Sequence, residues 1–217
     1  MKKKFLIEII GLPGGGKTTF INALRQYSNF KIIEPKPPSA ILIAFHTFYF
    51  LFRLALHRFS TLLKLFIRKD GRWLLFKIGY RIAVHNNIKD SGILSEGGVL
   101  QPFISFFAEN AEKSFSCNEL LELILLIPLP GHLIHFDIPV VLALERYQSR
   151  EKKGLIKRRF LVNEKKFNNS KKMEKLIVKN FKKGHVLRLD AESIKYDKKL
   201  FNNEQFVNAL NTKIYEN

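Results

Sequence analysis

Apolar and polar residues follow one another along this chain in blocks that predict short strands alternating with helices. An apolar run at 5–10 predicts the first strand, and the helix-like pattern at 19–25 follows it directly. Further strands are predicted at 30–34, 91–95, 133–137 and 185–190, and further helices at 41–68, 71–87, 102–126, 140–151, 173–181 and 204–215. Such alternation is typical of a parallel sheet with helices on both faces. We therefore expect one α/β domain spanning residues 1–217, a three-layer sandwich.

The apolar stretch 41–68 carries a polar stripe. Five of its polar residues are spaced 7, 4, 7 and 4 positions apart, which places them on one side of a helix: His46, Arg53, His57, Lys64 and Arg68. No uncharged window reaches the ~18 residues of a membrane span, because Arg53 interrupts it. Two interpretations remain open for the apolar, basic region 41–90. It is either a helical cover buried on the core or a helix that lies in the plane of a membrane surface.

The chain is strongly basic, with a net charge of +18, and the charge is unevenly distributed. Residues 41–95 contain nine basic and two acidic side chains, and residues 150–183 contain fourteen basic and three acidic ones. This pattern fits either a solvated lysine-rich surface or attraction to polyanions such as nucleotide phosphates, anionic lipids or nucleic acid. The stretch 152–170 has no clear apolar period and predicts a mobile loop within a lid region at 146–170. The only cysteine, Cys117, excludes an internal disulfide and fits a cytoplasmic protein, with attachment to the membrane periphery as an alternative.

One motif carries specific chemistry. The segment Gly11–Thr18 reads GLPGGGKT and satisfies G-x-x-x-x-G-K-[ST], between a predicted strand and a predicted helix. Glycines let backbone N–H groups curl around phosphate oxygens, and the helix N-terminus adds its own unpaired N–H groups. In this pattern Lys17 bridges the β- and γ-phosphates and Thr18 binds Mg²⁺, so we expect ATP and Mg²⁺ as cofactors. The predicted nucleotide-binding residues are Gly11, Leu12, Pro13, Gly14, Gly15, Gly16, Lys17, Thr18 and Thr19.

Three further segments carry a resemblance to a known family. Glu34-Pro35 follows the second strand, FDIPVVLALER at 136–146 is a strand, turn and helix, and LRLDA at 187–191 covers the last strand. With the P-loop, these segments resemble the nucleoside-monophosphate kinase branch of P-loop proteins, and thymidylate kinase most closely. The resemblance implies a P-loop NTPase fold and transfer of a phosphoryl group from ATP to a small acceptor. Arg146 and Arg150 correspond to the lid arginines of such kinases.

Four side chains outside the P-loop are candidates for the chemistry, each with an ordinary alternative. Glu96 follows the predicted strand 91–95 and would bind Mg²⁺ directly or through water, or else face solvent in a turn. Glu34 would accept the proton of a hydroxyl acceptor, orient a phosphate acceptor, or only shape the turn before Pro35. Arg146 and Arg150 lie four residues apart on one helical face and would stabilise charge on the transferring phosphoryl group, or form a solvated basic surface.

The acceptor remains open at this stage. The second candidate function is a nucleotide-dependent binding or regulatory module that docks to a membrane or a protein through 41–90. The Asn-Lys-x-Asp motif of guanine-specific switches is absent from the sequence, which favours ATP over GTP. A kinase acting on nucleic-acid 5′-hydroxyls would suit the basic block at 150–183. However, no base-reading motif is present, so nucleic acid is not an expected partner.

Overall fold

In the computed structural model, the residues described are 6–27, 31–94, 98–111, 115–154, 163–181 and 186–190. Within these ranges five strands form one sheet, in which every neighbouring pair is parallel. The strands are β1 (Leu6–Gly11), β2 (Ile32–Ile33), β3 (Gly92–Leu94), β4 (His132–Asp137) and β5 (Val186–Asp190). Their order is β2-β3-β1-β4-β5. Because β1 lies between β3 and β4, its carboxyl end opens at the middle of the sheet edge.

Seven helices accompany the strands in the described part of the chain. They are α1 (Lys17–Tyr27), α2 (Ala40–Ile67), α3 (Lys69–Asn87), α4 (Gln101–Asn110), α5 (Cys117–Leu125), α6 (Val140–Lys152) and α7 (Glu164–Asn180). The predicted helix 102–126 is thus two helices. Ser116 begins the second of them with a capping box, in which its hydroxyl accepts from the Glu119 N–H while the Glu119 carboxylate accepts from the Ser116 N–H.

The prediction of a loop over 152–170 is wrong for its last part, because α7 begins at Glu164. The side chain of Asn163 accepts from the Lys166 N–H and caps the helix. Phe167 and Met173 are buried on its inner side, although the lysines between them hide the apolar period in the sequence. The predicted helix 204–215 lies outside the described residues.

Alternate side chains of the strands enter two separate cores, which confirms the expected layers. Ile7 and Phe136 point to one face of the sheet, where they pack with Phe20 and Leu24 of α1. Ile10 and Leu133 point to the other face, where they belong to a larger core that includes residues of α2, α3, α4, α5 and α7. Burying such a side chain contributes roughly 1.5–3 kcal/mol, so both faces of the sheet drive folding.

The hairpin of α2 and α3 covers part of the larger core. The two helices approach so closely that a Cβ added at Gly79 would lie 1.9 Å from the Thr47 hydroxyl oxygen. Helix α2 is kinked at Arg58, whose φ of −148° and ψ of 55° are not helical. Among the described helices, α2 is also long and apolar enough to cross a membrane, yet only 11% of its most apolar 18-residue window is buried.

The polar side of α2 faces α5 and the segment that follows it. The Arg53 guanidinium donates to the Leu126 carbonyl oxygen at 2.8 Å, and Lys64 pairs with Glu119 at 2.7 Å. Arg58, which lies off the predicted stripe, pairs with Glu122 at 2.9 Å. The side of the helix that faces the core is apolar, with Phe50, Leu54 and Leu65 buried, and the charged side lies next to it. Much of the remaining apolar surface is turned outward. Helix α2 is a cover for the core, but it is not fully buried.

Candidate functional site

The segment Gly11–Thr18 forms a tight loop between β1 and α1. The φ angles of Gly11, Gly14 and Gly16 are +152°, +81° and +92°, values that residues other than glycine rarely adopt. The Gly15 N–H donates to the Leu12 carbonyl oxygen at 3.0 Å and closes the turn. Helix α1 begins directly after the loop, so its unpaired N–H groups face the same space. The backbone therefore has the shape of an anion cradle.

Lys17 sits on this loop, half-buried. Its ammonium group donates to the carbonyl oxygens of Gly11 and Leu12. Burial lowers the pKa of Lys17 to about 8, the negative charge of Glu174 raises it, and the positive charge of Arg150 lowers it further. A bound triphosphate would stabilise the charged form, so the site is electrostatically prepared for an anion.

Helix α6 packs directly on the loop. A Cβ added at Gly14 would lie 2.6 Å from the Ala143 carbonyl oxygen and 3.4 Å from the Arg146 Cβ. Arg146 is half-buried beside the loop, and Arg150, one turn later, is exposed but close enough to affect the pKa of Lys17. The structure thus places Arg146 and Arg150 on the helix that packs against the P-loop, with Arg150 close enough to act on Lys17. Their catalytic roles stay predictions.

Of the two acidic candidates, Glu34 lies after β2 and Glu96 lies outside the described residues. Glu34 follows β2, is 74% exposed and forms an ion pair with Arg25 of α1. Its carboxylate is thus anchored at the carboxyl end of a strand, where ligands bind in parallel sheets. Glu96 lies outside the described residues, between β3 and α4, so its predicted role stays untested.

Thr18 and Thr19 are exposed on the first turn of α1. Magnesium takes few protein ligands when it binds with a nucleotide, since phosphate oxygens and waters complete its octahedral shell. A single hydroxyl such as that of Thr18 fits this requirement. Over the described ranges no group of three His, Cys, Asp or Glu side chains could hold a metal ion.

Two buried charged groups near the loop were not predicted. Glu8, in the middle of β1, is 1% exposed, and its carboxylate accepts from the N–H groups of Val99 and Leu100 at 3.0 and 2.9 Å. Burial raises the pKa of Glu8 from its ordinary 4.5 to about 7, while those hydrogen bonds lower it. A Cβ added at Gly98 would lie 1.9 Å from the Glu8 Cδ, so the backbone can lie this close to the carboxylate only because residue 98 is glycine. The signal in the sequence that could have identified Glu8 is an acidic residue inside an otherwise apolar strand.

The second group is a pair between β4 and α7. The His135 Nε2 lies 3.4 Å from the Glu174 Oε2, and both side chains are almost fully buried. One turn earlier on α7, Lys171 pairs with Asp137 and donates to the Ile138 carbonyl oxygen at 3.0 Å. The hydrogen bond that Lys171 donates to the Asp137 carboxylate lowers the pKa of Asp137. Helix α7 is thereby tied to the carboxyl end of β4.

Among the comparisons with known proteins, only the comparison with solved structures gave matches. No family model matches the chain, and no curated protein matches it. The solved structure of deoxyadenosine kinase from M. mycoides with bound dATP is similar at a TM-score of 0.58 and 15% identity, over 95% of this chain and 99% of that one. The chain has the fold of a P-loop nucleoside kinase.

Two further structures of the same M. mycoides enzyme agree. The complex with dCTP has a TM-score of 0.56 and 16% identity, over 96% of this chain and 100% of the other. The complex with the products dCMP and a flexible dCDP has a TM-score of 0.57 and 17% identity, over 95% and 98%. The expected three-layer α/β fold of P-loop kinases is confirmed. At this identity the likeness establishes the fold alone.

Proposed function

We propose that the protein is a Mg²⁺-dependent kinase that transfers the γ-phosphoryl group of ATP to the hydroxyl of a deoxynucleoside. The observation that carries the proposal is the packing of α6, the helix with Arg146 and Arg150, against Gly14 of the P-loop. The M. mycoides structures support it, because they belong to deoxyadenosine kinase and extend over almost the whole of both chains. A nucleotide acceptor of the thymidylate kinase type is the second choice within the same chemistry.

The proposed reaction needs charge neutralisation and alignment more than covalent chemistry. The N–H groups of the P-loop and of the α1 N-terminus hold the β- and γ-phosphates, and Lys17 neutralises part of their charge. Arg146 and Arg150 stabilise the charge on the group in transit. Thr18, with Glu96 as the candidate second contact, would hold Mg²⁺, which would supply further positive charge to the phosphates when bound.

Glu34 is the proposed base. As the acceptor oxygen forms its bond to the γ-phosphorus, the bond from that phosphorus to the β,γ-bridging oxygen breaks and ADP leaves. The hydroxyl proton passes to the Glu34 carboxylate. The ion pair with Arg25 does not prevent this role, because exposed pairs contribute only about 0–1 kcal/mol and exchange readily.

The test is an acceptor screen that follows ADP release from ATP and Mg²⁺. The four deoxynucleosides are compared with thymidylate and with no acceptor. We expect ADP release to depend on a deoxynucleoside and to be abolished in Lys17→Ala. A response to thymidylate alone would assign the nucleotide acceptor instead. Acceptor-independent release that survives in Lys17→Ala would contradict the proposed kinase.

A nucleotide-dependent binding or regulatory ATPase is the alternative function. The exposed apolar side of α2 favours it, because such a surface is suited to a partner. In that case ATP hydrolysis would respond to the partner and to no nucleoside. For either function we propose a cytoplasmic location, in which ATP is available to the protein.

A further inference from the structure

The outer side of α2 carries an apolar stripe that extends across the kink at Arg58. Six large side chains recur at intervals of 3, 4, 4, 3 and 4 residues, so the first four share one face of the helix before the kink and the last two share one face after it. Each of them is between 51% and 71% exposed. These residues, called here the α2 stripe, are Phe45, Phe48, Phe52, Leu56, Phe59 and Leu63.

The α2 stripe is larger than an ordinary surface patch. Six such side chains, each more than half exposed, present roughly 700 Å² of apolar surface, whereas the largest patch on a typical monomer is about 300–600 Å². The helix cannot rotate to hide it, because the opposite side is already buried in the core with Phe50, Leu54 and Leu65, and Arg53 and Lys64 bind Leu126 and Glu119 beside it. An exposed apolar patch of this size is typical of a surface that binds a partner or a membrane.

Cations and aromatic rings meet at the tip of the hairpin, beyond the end of the stripe. The Arg72 guanidinium donates to the Phe66 carbonyl oxygen at 2.7 Å, and both residues are exposed. The Lys77 ammonium lies 5.2 Å from the centroid of the Trp73 ring, which stacks on Phe76 at 5.8 Å. Long cationic side chains beside exposed aromatics are typical of helices at a membrane interface.

The charge of the protein distinguishes between two possible partners of the stripe, a second copy of the chain and a lipid bilayer. Residues 40–87 contain eight basic side chains and one acidic one, in a chain with a net charge of +18. Two copies of this surface would repel each other, whereas anionic lipid headgroups attract it. We propose that the α2 stripe docks the protein on an anionic phospholipid bilayer.

The docking is parallel to the membrane rather than across it. Helix α2 is long enough to span a bilayer, but its other sides are committed to α3 and α5. The outer side of α2, where Ile41, Tyr49 and Ile67 are exposed beside the stripe, is available to lipid and enters the headgroup and acyl boundary to a depth of about 5–10 Å. Exposed cations near the tip of the hairpin, such as Arg72, add to the attraction toward the anionic headgroups.

Vesicle flotation of the full-length protein tests the proposal. Binding to phosphatidylcholine vesicles is compared with binding to an equal mixture of phosphatidylcholine and phosphatidylserine. The double variant Phe52→Glu/Phe59→Glu places two charges in the stripe. Val141→Glu is the matched control, because Val141 is 62% exposed on α6, away from the stripe. Circular dichroism checks that every variant is folded.

We expect wild type and Val141→Glu to bind the anionic vesicles, and the double variant to bind them about 100-fold more weakly, since each lost phenylalanine insertion costs about a factor of ten. Arg72→Gln/Lys77→Gln should also weaken binding to anionic vesicles and leave the weak binding to neutral vesicles unchanged. Wild-type binding by the Phe52→Glu/Phe59→Glu variant would overturn the proposal. A lipid-free dimer that this variant dissociates would also overturn it, in favour of a second copy of the chain.

Discussion

Replacement of Glu8 by glutamine should remove much of the pH dependence of the protein's stability near neutrality. The Glu8 carboxyl is buried in β1, and its pKa is raised from 4.5 to about 7. The unfolded chain therefore ionises this group at a lower pH than the folded protein does. Between these two values the folded state binds more protons, so stability falls as the pH rises.

The magnitude follows from the two pKa values. Each unit of pKa difference corresponds to about 1.4 kcal/mol, so the full effect is about 3 kcal/mol between acid and alkaline limits. Most of it should appear between about pH 5 and pH 8. Glutamine cannot ionise, although it keeps an oxygen that accepts from the Val99 or Leu100 N–H.

The assay is urea unfolding followed by circular dichroism at several pH values across that interval. The quantity of interest is the difference between wild type and Glu8→Gln, because all other titrating groups are common to both proteins. Glu145→Gln, an exposed change on α6, is the matched control and should track the wild type. Parallel curves for wild type and Glu8→Gln across the interval would refute the reasoning.

Three further predictions concern the P-loop. Gly14→Ala should destabilise the fold by roughly 1–3 kcal/mol and weaken ATP binding. The reason is that the new Cβ meets the Ala143 carbonyl oxygen at 2.6 Å and that φ is +81°. Thermal melts measure the loss of stability, and fluorescent-nucleotide titration measures the loss of affinity. ATP affinity should fall as the pH rises above about 8, where Lys17 loses its proton. Glu174→Gln should move the midpoint of this loss of affinity to lower pH, because it removes the charge that raises the pKa of Lys17. Arg150→Ala should lower kcat for ADP release by roughly 10²–10³-fold with a smaller change in KM, and an equal rise in KM with unchanged kcat would exclude a role in the transition state.

The local features of this chain were predictable from its sequence because short-range rules determine them. Gly11–Thr18 needs glycine at positive φ within a few residues, and β4 is a short run built around Leu133, Ile134 and Phe136. The beginning of α7 was not predictable in the same way. Its buried face before Met173 consists of Phe167 and Ser170 among lysines, so tertiary packing and the Asn163 cap decide where the helix begins.

The orientation of α2 illustrates a different limit. Apolar residues occupy most of its circumference, so periodicity alone does not tell which side faces the core. The decision comes from partners distant in sequence, such as Glu119 for Lys64 and the Leu126 carbonyl oxygen for Arg53. The same holds for Glu8, whose hydrogen-bond donors Val99 and Leu100 lie more than 90 residues away.

Helix α7 connects these buried charges to the proposed chemistry. Lys171 ties the helix to the end of β4, and the next turn places Glu174 against His135, where its charge acts on Lys17. A carboxylate without exposure is costly unless nearby positive charge or hydrogen bonds compensate it. The Glu174 carboxylate meets His135 at 3.4 Å, and its negative charge raises the pKa of Lys17 against the larger effect of burial. Helix α6 therefore places a positive charge, and α7 a negative one, close enough to the P-loop to act on Lys17.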